Sequence, residues 1–210
     1  MKITVFGATG KAGQEILRQA LGRGHAVVAF ARNPEKIKFT HNSLSIARGG
    51  LDDIKALEKA IAGTGCIISV LGPIVSTSGN SLSNGVKNIV DIAEKSGVRR
   101  FLQIATPSVA DPNDGKKLIF RLMVWLIKML LPGSYSEIVR IGGIVRDSKL
   151  DWTLVRVPLL NEKPRSGKII SGYIGKDPLG ISISRADLAW FMLEQAEKGG
   201  YIRQAPVISN

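Results

Sequence analysis

Three glycines spaced three residues apart follow a short apolar run near the start of this chain. The run Lys2–Phe6 predicts a β-strand, and the turn GATGKAG at residues 7–13 leads directly into an amphipathic helical stretch. In this context the first glycine permits a tight turn, the second lets a phosphate approach the backbone, and the third lets the helix pack on the strand. The helix N-terminus adds amide donors for an anion. The turn therefore predicts a dinucleotide site that includes Gly7, Thr9, Gly10, Lys11, Ala12 and Gly13.

The spacing of this turn also excludes the phosphate loop of a nucleoside triphosphatase. Only two residues separate Gly7 from Gly10, and Ala12 stands where a phosphate loop of the NTPase type would need Ser or Thr. A nucleoside triphosphate is therefore not the expected ligand.

The end of the second predicted strand indicates which dinucleotide binds. An NAD site places Asp or Glu there, where the carboxylate holds the ribose 2′-hydroxyl. This chain instead reads Ala31-Arg32-Asn33, with no acid at the strand tip. A guanidinium at that position can bind the 2′-phosphate, with Lys36 as a possible helper. We therefore expect NADP(H) as the cofactor; the alternative is that Arg32 is a solvated surface arginine.

Short β-rich runs alternate with amphipathic helical stretches along the whole chain. This alternation predicts an α/β fold, a Rossmann-like, doubly wound, mostly parallel sheet flanked by helices. No internal repeat or linker interrupts it, so residues 1–210 are expected to form a single domain with a small C-terminal portion on the substrate side. The predicted strands are residues 2–6, 26–31, 44–47, 66–71, 100–105 and 152–156.

Several polar residues are expected to mark helix ends or helix surfaces. Asp52 or Asp53 precedes an apolar stripe and predicts an N-cap, and Ser184 followed by Asp187 predicts another. Glu137 and Asp147 are expected on helix surfaces, at caps or in turns.

Residues 118–131 are strongly apolar and break the amphipathic pattern of the other helices. Fourteen residues are too few to span a bilayer, which needs roughly 20. Three interpretations remain, in decreasing order of preference: a buried helix or lid over the substrate pocket, a dimer contact, and a helix at a membrane surface. A monomer and a homodimer are both compatible with the sequence. Pro132-Gly133 is expected to end this helix.

The chain carries a formal net charge of +12, with Lys and Arg spread along its length. Basic clusters are no longer than pairs, and no basic stripe interleaves with aromatic residues, so no nucleic-acid partner is expected. The single cysteine, Cys66, excludes an internal disulfide and is expected to be buried. His25 and His41 are not spaced for metal binding, so no metal is expected. The N-terminal residues lack a signal-peptide pattern, and a cytoplasmic location is expected.

Together with GATGKAG, the segments ARNPEK, CIISVLG and LDWTLVRVPLL resemble the atypical, NmrA-like group of NAD(P)H-binding short-chain dehydrogenases/reductases. Within that group the sequence is similar to the biliverdin reductase B, or flavin reductase, subfamily, and the likeness extends nearly from end to end. The motifs are specific for the superfamily and its cofactor and much less so for the substrate.

The resemblance implies further site residues. Thr106 matches a hydroxyl that hydrogen-bonds substrate or nicotinamide, and Ser108 is the second choice for that role. Leu51 lies where relatives contact adenine, although the aspartate that often precedes this position is missing here. The remaining positions would line the ribose and nicotinamide, and they are Leu71, Gly72, Pro73, Ala105, Pro158 and Leu159.

One departure from the group concerns proton transfer. Typical members use Tyr-x-x-x-Lys, in which the lysine keeps the tyrosine ready to transfer a proton. The residues four positions after Tyr135, Tyr173 and Tyr201 are Val139, Asp177 and Ala205. No tyrosine therefore has a lysine four positions later, and the absence of this Tyr–Lys pair favours an oxidoreductase that delivers hydride to a flavin, quinone or tetrapyrrole-like acceptor. The alternatives are a non-catalytic NADP-binding regulator that senses redox state and a basic protein at the membrane periphery; both would use residues 118–131 as the contact surface.

Overall fold

Six parallel strands in the order 3-2-1-4-5-6 form most of the central sheet. The computed structural model describes residues 1–72, 81–115 and 118–210. The order reverses between β1 and β4, which is the point where open α/β sheets bind ligands. The strands are β1 (Lys2–Phe6), β2 (Ala26–Ala31), β3 (Leu44–Arg48), β4 (Cys66–Ser69), β5 (Arg100–Ala105) and β6 (Asp151–Arg156).

Four short strands follow β6, and the sequence did not predict them. The strand at Val207–Ser209 pairs parallel with β6, and the strand at Ile170–Gly172 pairs antiparallel with Val207–Ser209, which completes a sheet of eight strands. The other two form a separate parallel pair. They are β7 (Leu159–Asn161), β8 (Ile170–Gly172), β9 (Ser182–Ser184) and β10 (Val207–Ser209). The predicted α/β, Rossmann-like class is confirmed.

Helices cover both faces of this sheet, and each face has its own apolar core. One core packs α1 and α6 against the sheet, and the other packs α2, α3 and α5. The helices are α1 (Lys11–Gly22), α2 (Ile54–Ile61), α3 (Ser81–Lys95), α4 (Leu118–Leu130), α5 (Pro132–Asp147) and α6 (Arg185–Lys198). The predicted caps are present: Asp53 accepts from the amide of Ala56 and Ser184 from that of Asp187.

Two local predictions hold only in part. Pro132 does end the apolar helix, but it also opens α5, because the fixed φ of proline suits the first position of a helix. Glu137 is not on the surface: it is 2% exposed, and its carboxylate accepts hydrogen bonds from the amide and hydroxyl of Ser83. It therefore caps the first turn of α3 from α5, a role that only the packing of the two helices reveals.

Cys66 lies in the core with no exposed surface, as expected. Burial raises the pKa of its thiol to about 12, although the nearby charge of Arg100 opposes the shift. The thiol is therefore protonated and unreactive at neutral pH. Within the described residues, no helix is both long enough and apolar enough to cross a membrane.

Candidate cofactor and acceptor site

The glycine turn lies between the end of β1 and the start of α1, and a side chain at two of its glycines would strain it. Gly7 has φ +79°, and a Cβ there would lie 3.1 Å from the backbone of Val70. A Cβ on Gly13 would overlap the carbonyl oxygen of Gly7 and lie 2.8 Å from the Cα of Ala8. The turn is closed by a hydrogen bond from the Gly10 amide to the Gly7 carbonyl (3.1 Å).

The first turn of α1 is built to receive an anion. Its N-cap is Gly10, which has no side chain to bind the free amides, and the first turn contains no acidic residue. Lys11 is exposed beside these amides, Ala12 is half-buried, and Thr9 is held by a hydrogen bond from Gln14 Nε2 to its carbonyl (3.1 Å). The amides and the Lys11 ammonium together provide positive potential at one spot.

Lys11 also forms an ion pair that the sequence did not predict. Its ammonium contacts the carboxylate of Glu162, the residue after β7, and Arg185 Nη1 lies 3.8 Å from the same carboxylate. The hydrogen bond and charge of Lys11 lower the pKa of Glu162. The pair places the end of β7 next to the glycine turn.

Arg32 follows β2 at the same edge of the sheet. The register of β1 and β2 pairs Phe6 with Phe30, so Gly7 and Arg32 both leave the sheet at adjacent positions. Arg32 is exposed, and its guanidinium has no ion pair or hydrogen bond within residues 1–72, 81–115 and 118–210. The group is free to bind a ligand.

Two loops, one after β3 and one after β4, carry further candidate residues. Leu51 packs so closely on α3 that a Cβ at Gly85 would lie 2.6 Å from its own Cβ, and its carbonyl accepts from Asn88 (2.9 Å). The carbonyl of Leu71 accepts from Gln103 Nε2 (2.9 Å), and Gly72 is exposed. Pro73 lies outside the described residues.

The end of β5 supplies the candidate hydroxyls. Ala105 is 1% exposed and its methyl packs in the core, so only its backbone can reach a ligand. Thr106 is half-buried and Ser108 is buried. In the part of the chain that the structure describes, neither hydroxyl is hydrogen-bonded. Thr106 is therefore the more accessible of the two hydroxyls.

An apolar ledge lies just beyond β6. Leu159 is 70% exposed and Ile181 is 81% exposed, and the amide of Leu159 donates to the carbonyl of Ile181 (3.2 Å). The half-buried Pro158 precedes them. We call Leu159 and Ile181 the ledge. The sequence pointed to Pro158 and Leu159 but missed Ile181, which is brought to this edge by the pairing of β7 with β9.

Two buried oxygens near this edge have no partner. Ser69 Oγ and Gln103 Oε1, on paired positions of β4 and β5, accept no hydrogen bond from any described residue. A serine and a glutamine inside otherwise apolar strands are the sequence signal that could have pointed to these two positions. The amide nitrogen of Gln103 holds the Leu71 loop, so this side chain fixes the backbone beside the candidate cofactor position.

A family model described as NAD(P)H-binding matches residues 7–198. The chain belongs to this family. The chain is 27% identical over 178 residues to an uncharacterized chloroplastic protein of Arabidopsis thaliana. The alignment covers 80% of this chain and 62% of that protein, so the chain spans less than two thirds of its relative's length.

Solved structures share the fold over the full length of the chain. An anaerobillin reductase from Escherichia coli O157:H7 superposes with a TM-score of 0.81 at 21% identity and covers 100% of this chain and 97% of its own. A short-chain dehydrogenase/reductase from Veillonella parvula, solved in complex with NADP, gives a TM-score of 0.80 at 16% identity, with coverages of 100% and 94%. At these identities the comparison shows the fold.

Proposed function

We propose that this NAD(P)H-binding protein is an NADPH-dependent reductase of a flat conjugated acceptor, namely a flavin, a quinone or an open-chain tetrapyrrole. The observation that carries the proposal is the exposed ledge just beyond the carboxyl end of β6, on the two short strands of which one, β7, is tied at its end to the glycine turn by the Lys11–Glu162 ion pair. Large apolar side chains are seldom left this exposed together unless they contact a ligand or partner. A flat apolar ring system can cover both side chains while it faces a nicotinamide bound above the sheet edge.

The proposal gives each cofactor-binding residue a separate task. The amides of α1 and Lys11 would hold the pyrophosphate, and Arg32 would hold the 2′-phosphate. Thr106, or else Ser108, would orient the carboxamide or the acceptor. The NADP complex of the Veillonella parvula protein supports this choice of cofactor by likeness of fold.

The reaction requires the protein mainly to position NADPH and the acceptor. Bound NADPH supplies two electrons and one proton as a hydride, and the acceptor takes a second proton from water, which gives NADP⁺ and the two-electron-reduced acceptor. Flavins, quinones and tetrapyrroles accept hydride on conjugated atoms, so no Tyr–Lys pair is needed to protonate an alkoxide. Thr106 and the ledge would hold the acceptor at reacting distance, which is the main source of acceleration in this scheme.

Steady-state oxidation of NADPH with FMN, menadione or biliverdin tests the proposal. We expect at least one acceptor to be reduced, and we expect Leu159→Ser with Ile181→Ser to raise the KM for that acceptor while NADPH affinity stays unchanged. Ile202→Ser is the matched control, since this residue is 44% exposed near the opposite end of β6. If NADPH binds tightly and no acceptor is turned over, the reductase proposal is wrong.

The absent Tyr–Lys pair favours one other function. A protein that binds NADPH without turnover can report the redox state of the cell to a partner, and it needs no proton donor at all. The same experiment separates the two, because tight binding without turnover is the expected result for a regulator.

A further inference from the structure

Five large apolar side chains of α4 are exposed. The exposed positions are spaced by three and four residues, which places them on one stripe of the helix. Between them, Val124 and Ile127 are half-buried and belong to the other side. The stripe consists of Leu122, Trp125, Leu126, Met129 and Leu130, which are 50%, 53%, 43%, 62% and 76% exposed. We call these five residues the α4 stripe.

The sequence segment that contains the stripe carries charges of one sign only. From Gly115 to Ser136 the sequence contains no Asp or Glu, and its charged residues are Lys116, Lys117, Arg121 and Lys128. The acids on either side face inward, because Asp114 pairs with the buried Arg156 and Glu137 caps α3. Lys128 is exposed on α4 itself. The stripe therefore lies on a helix that also exposes Lys128, within a sequence segment whose charged residues are all basic.

We propose that the α4 stripe docks on the headgroup layer of an anionic phospholipid bilayer. An outward apolar stripe with Trp, Leu and Met beside lysines is the composition of helices that lie in a membrane interface. The indole of Trp125 suits this layer because its ring is apolar and its N–H can reach polar headgroups. A helix of 13 residues is about 20 Å long, so it lies along the surface and does not cross it.

Charge decides between a bilayer and a second copy of the chain. Each chain carries a net charge of +12, and a dimer over the stripe would bring together two segments that contain basic residues and no acidic ones. An anionic lipid surface removes that repulsion and attracts each lysine near the membrane. The same argument applies to any partner that lacks a negative surface.

Co-sedimentation with vesicles tests the proposal on the full chain. We expect binding to vesicles of phosphatidylglycerol and phosphatidylcholine, weaker binding at high salt, and little binding to phosphatidylcholine alone. The double variant Trp125→Glu with Leu126→Glu should bind at least tenfold more weakly. Ile54→Glu is the matched control: Ile54 and Leu126 are both 43% exposed on helices, and Ile54 opens α2, which packs against α3, whereas α4 packs against α5.

NADPH affinity and the thermal unfolding midpoint, measured on the wild type and both variants, show whether the changes leave the fold intact. The proposal is overturned if wild-type protein does not bind the anionic vesicles, or if the double variant binds them as the wild type does. It is also overturned if sedimentation velocity shows a dimer that the double variant dissociates, because the stripe would then be covered by a second copy.

Discussion

Asp114 and Arg156 form a two-point ion pair that joins the loop after β5 to the carboxyl end of β6. Arg156 Nη1 lies 2.6 Å from Asp114 Oδ2, and Nη2 lies 2.8 Å from Oδ1. The arginine is fully buried, and it also donates to the carbonyls of Ala205 (2.7 Å) and Val109 (3.1 Å). Asp114 in turn accepts from the amide of Ile174 (3.1 Å). The pair fixes the loop between Thr106 and Asp114 at the sheet edge.

Asp114→Asn should strongly destabilise the protein. The change leaves a buried guanidinium without its counter-charge, which costs about 3 kcal/mol. For a chain of this size the expected fall in Tm is roughly 6 to 12 °C. Asp91→Asn is the control, because Asp91 pairs with Lys87 on an exposed face of α3 and its loss should cost less than about 1 kcal/mol. Equal losses in the two variants, measured by urea unfolding, would contradict the structural role of the buried pair.

Because of the same pair, the free energy of unfolding depends on pH in the acid range. Burial raises the pKa of Asp114, but the hydrogen bond and charge of Arg156 outweigh it, so the pKa lies below its usual value. A carboxyl with a lowered folded pKa stabilises the protein above its unfolded pKa of about 3.9. That contribution is lost as the pH falls through the folded pKa. The difference in unfolding free energy between wild type and Asp114→Asn should therefore be constant near neutrality and shrink below about pH 4; a difference that grows in acid would contradict it.

Arg32→Glu should reverse the cofactor preference. Loss of a charge-assisted contact and its replacement by a repulsive carboxylate should weaken NADPH binding by about tenfold to a hundredfold. NADH has no 2′-phosphate, so its affinity should stay the same or rise. Arg140→Glu makes the same change in net charge at an exposed position on α5 and should alter neither affinity much. Titration of both nucleotides by fluorescence measures this, and equal wild-type affinities for NADPH and NADH would contradict the assigned role of Arg32.

Gly13→Ala should abolish dinucleotide binding. The added methyl overlaps the Gly7 carbonyl, so either the turn opens or α1 moves away from β1. Gly22→Ala is the control within the same helix, because a Cβ there meets nothing within 4 Å. It should bind NADPH normally and gain up to about 1 kcal/mol of stability, since alanine loses less backbone entropy. Normal NADPH binding by Gly13→Ala would show that the turn is not the phosphate site.

The sequence predicts the first half of the sheet well because its signals are local. The strands β1, β2 and β5 have the predicted bounds, since each is a run of apolar or β-forming residues that ends at a turn or at the sheet edge. The fourth strand was predicted to reach Leu71 but ends at Ser69. The next two residues are as apolar as the strand itself, but only the amide of Val70 still bonds to β1, at Phe6, and the carbonyl of Leu71 accepts from the side chain of Gln103 instead.

The second half of the molecule is less predictable because its elements depend on distant partners. The strands β7 to β10 have three residues each, too few for a periodic pattern, and they form only because other strands are beside them. Glu162 and Ile181 belong to this region. Lys11 and Glu162 are 151 positions apart in the chain, and no motif near either residue indicates their contact.

Glu162→Gln should strengthen NADPH binding. The carboxylate competes with the cofactor's phosphates for Lys11 and repels them through its own charge. Both side chains are more than 60% exposed, so solvent screens the effect, and we expect a gain of about two- to fivefold that disappears at high salt.

Glu58→Gln on α2 is the control for this change, because it removes the same charge at an exposed position with no ion pair among the described residues. Lys11→Gln should act in the opposite direction and weaken binding. Isothermal titration at low and high salt distinguishes the possibilities. If Glu162→Gln weakens NADPH binding, the carboxylate does not compete with the phosphates but orients Lys11 toward them. The ion pair would then be part of the cofactor-binding site.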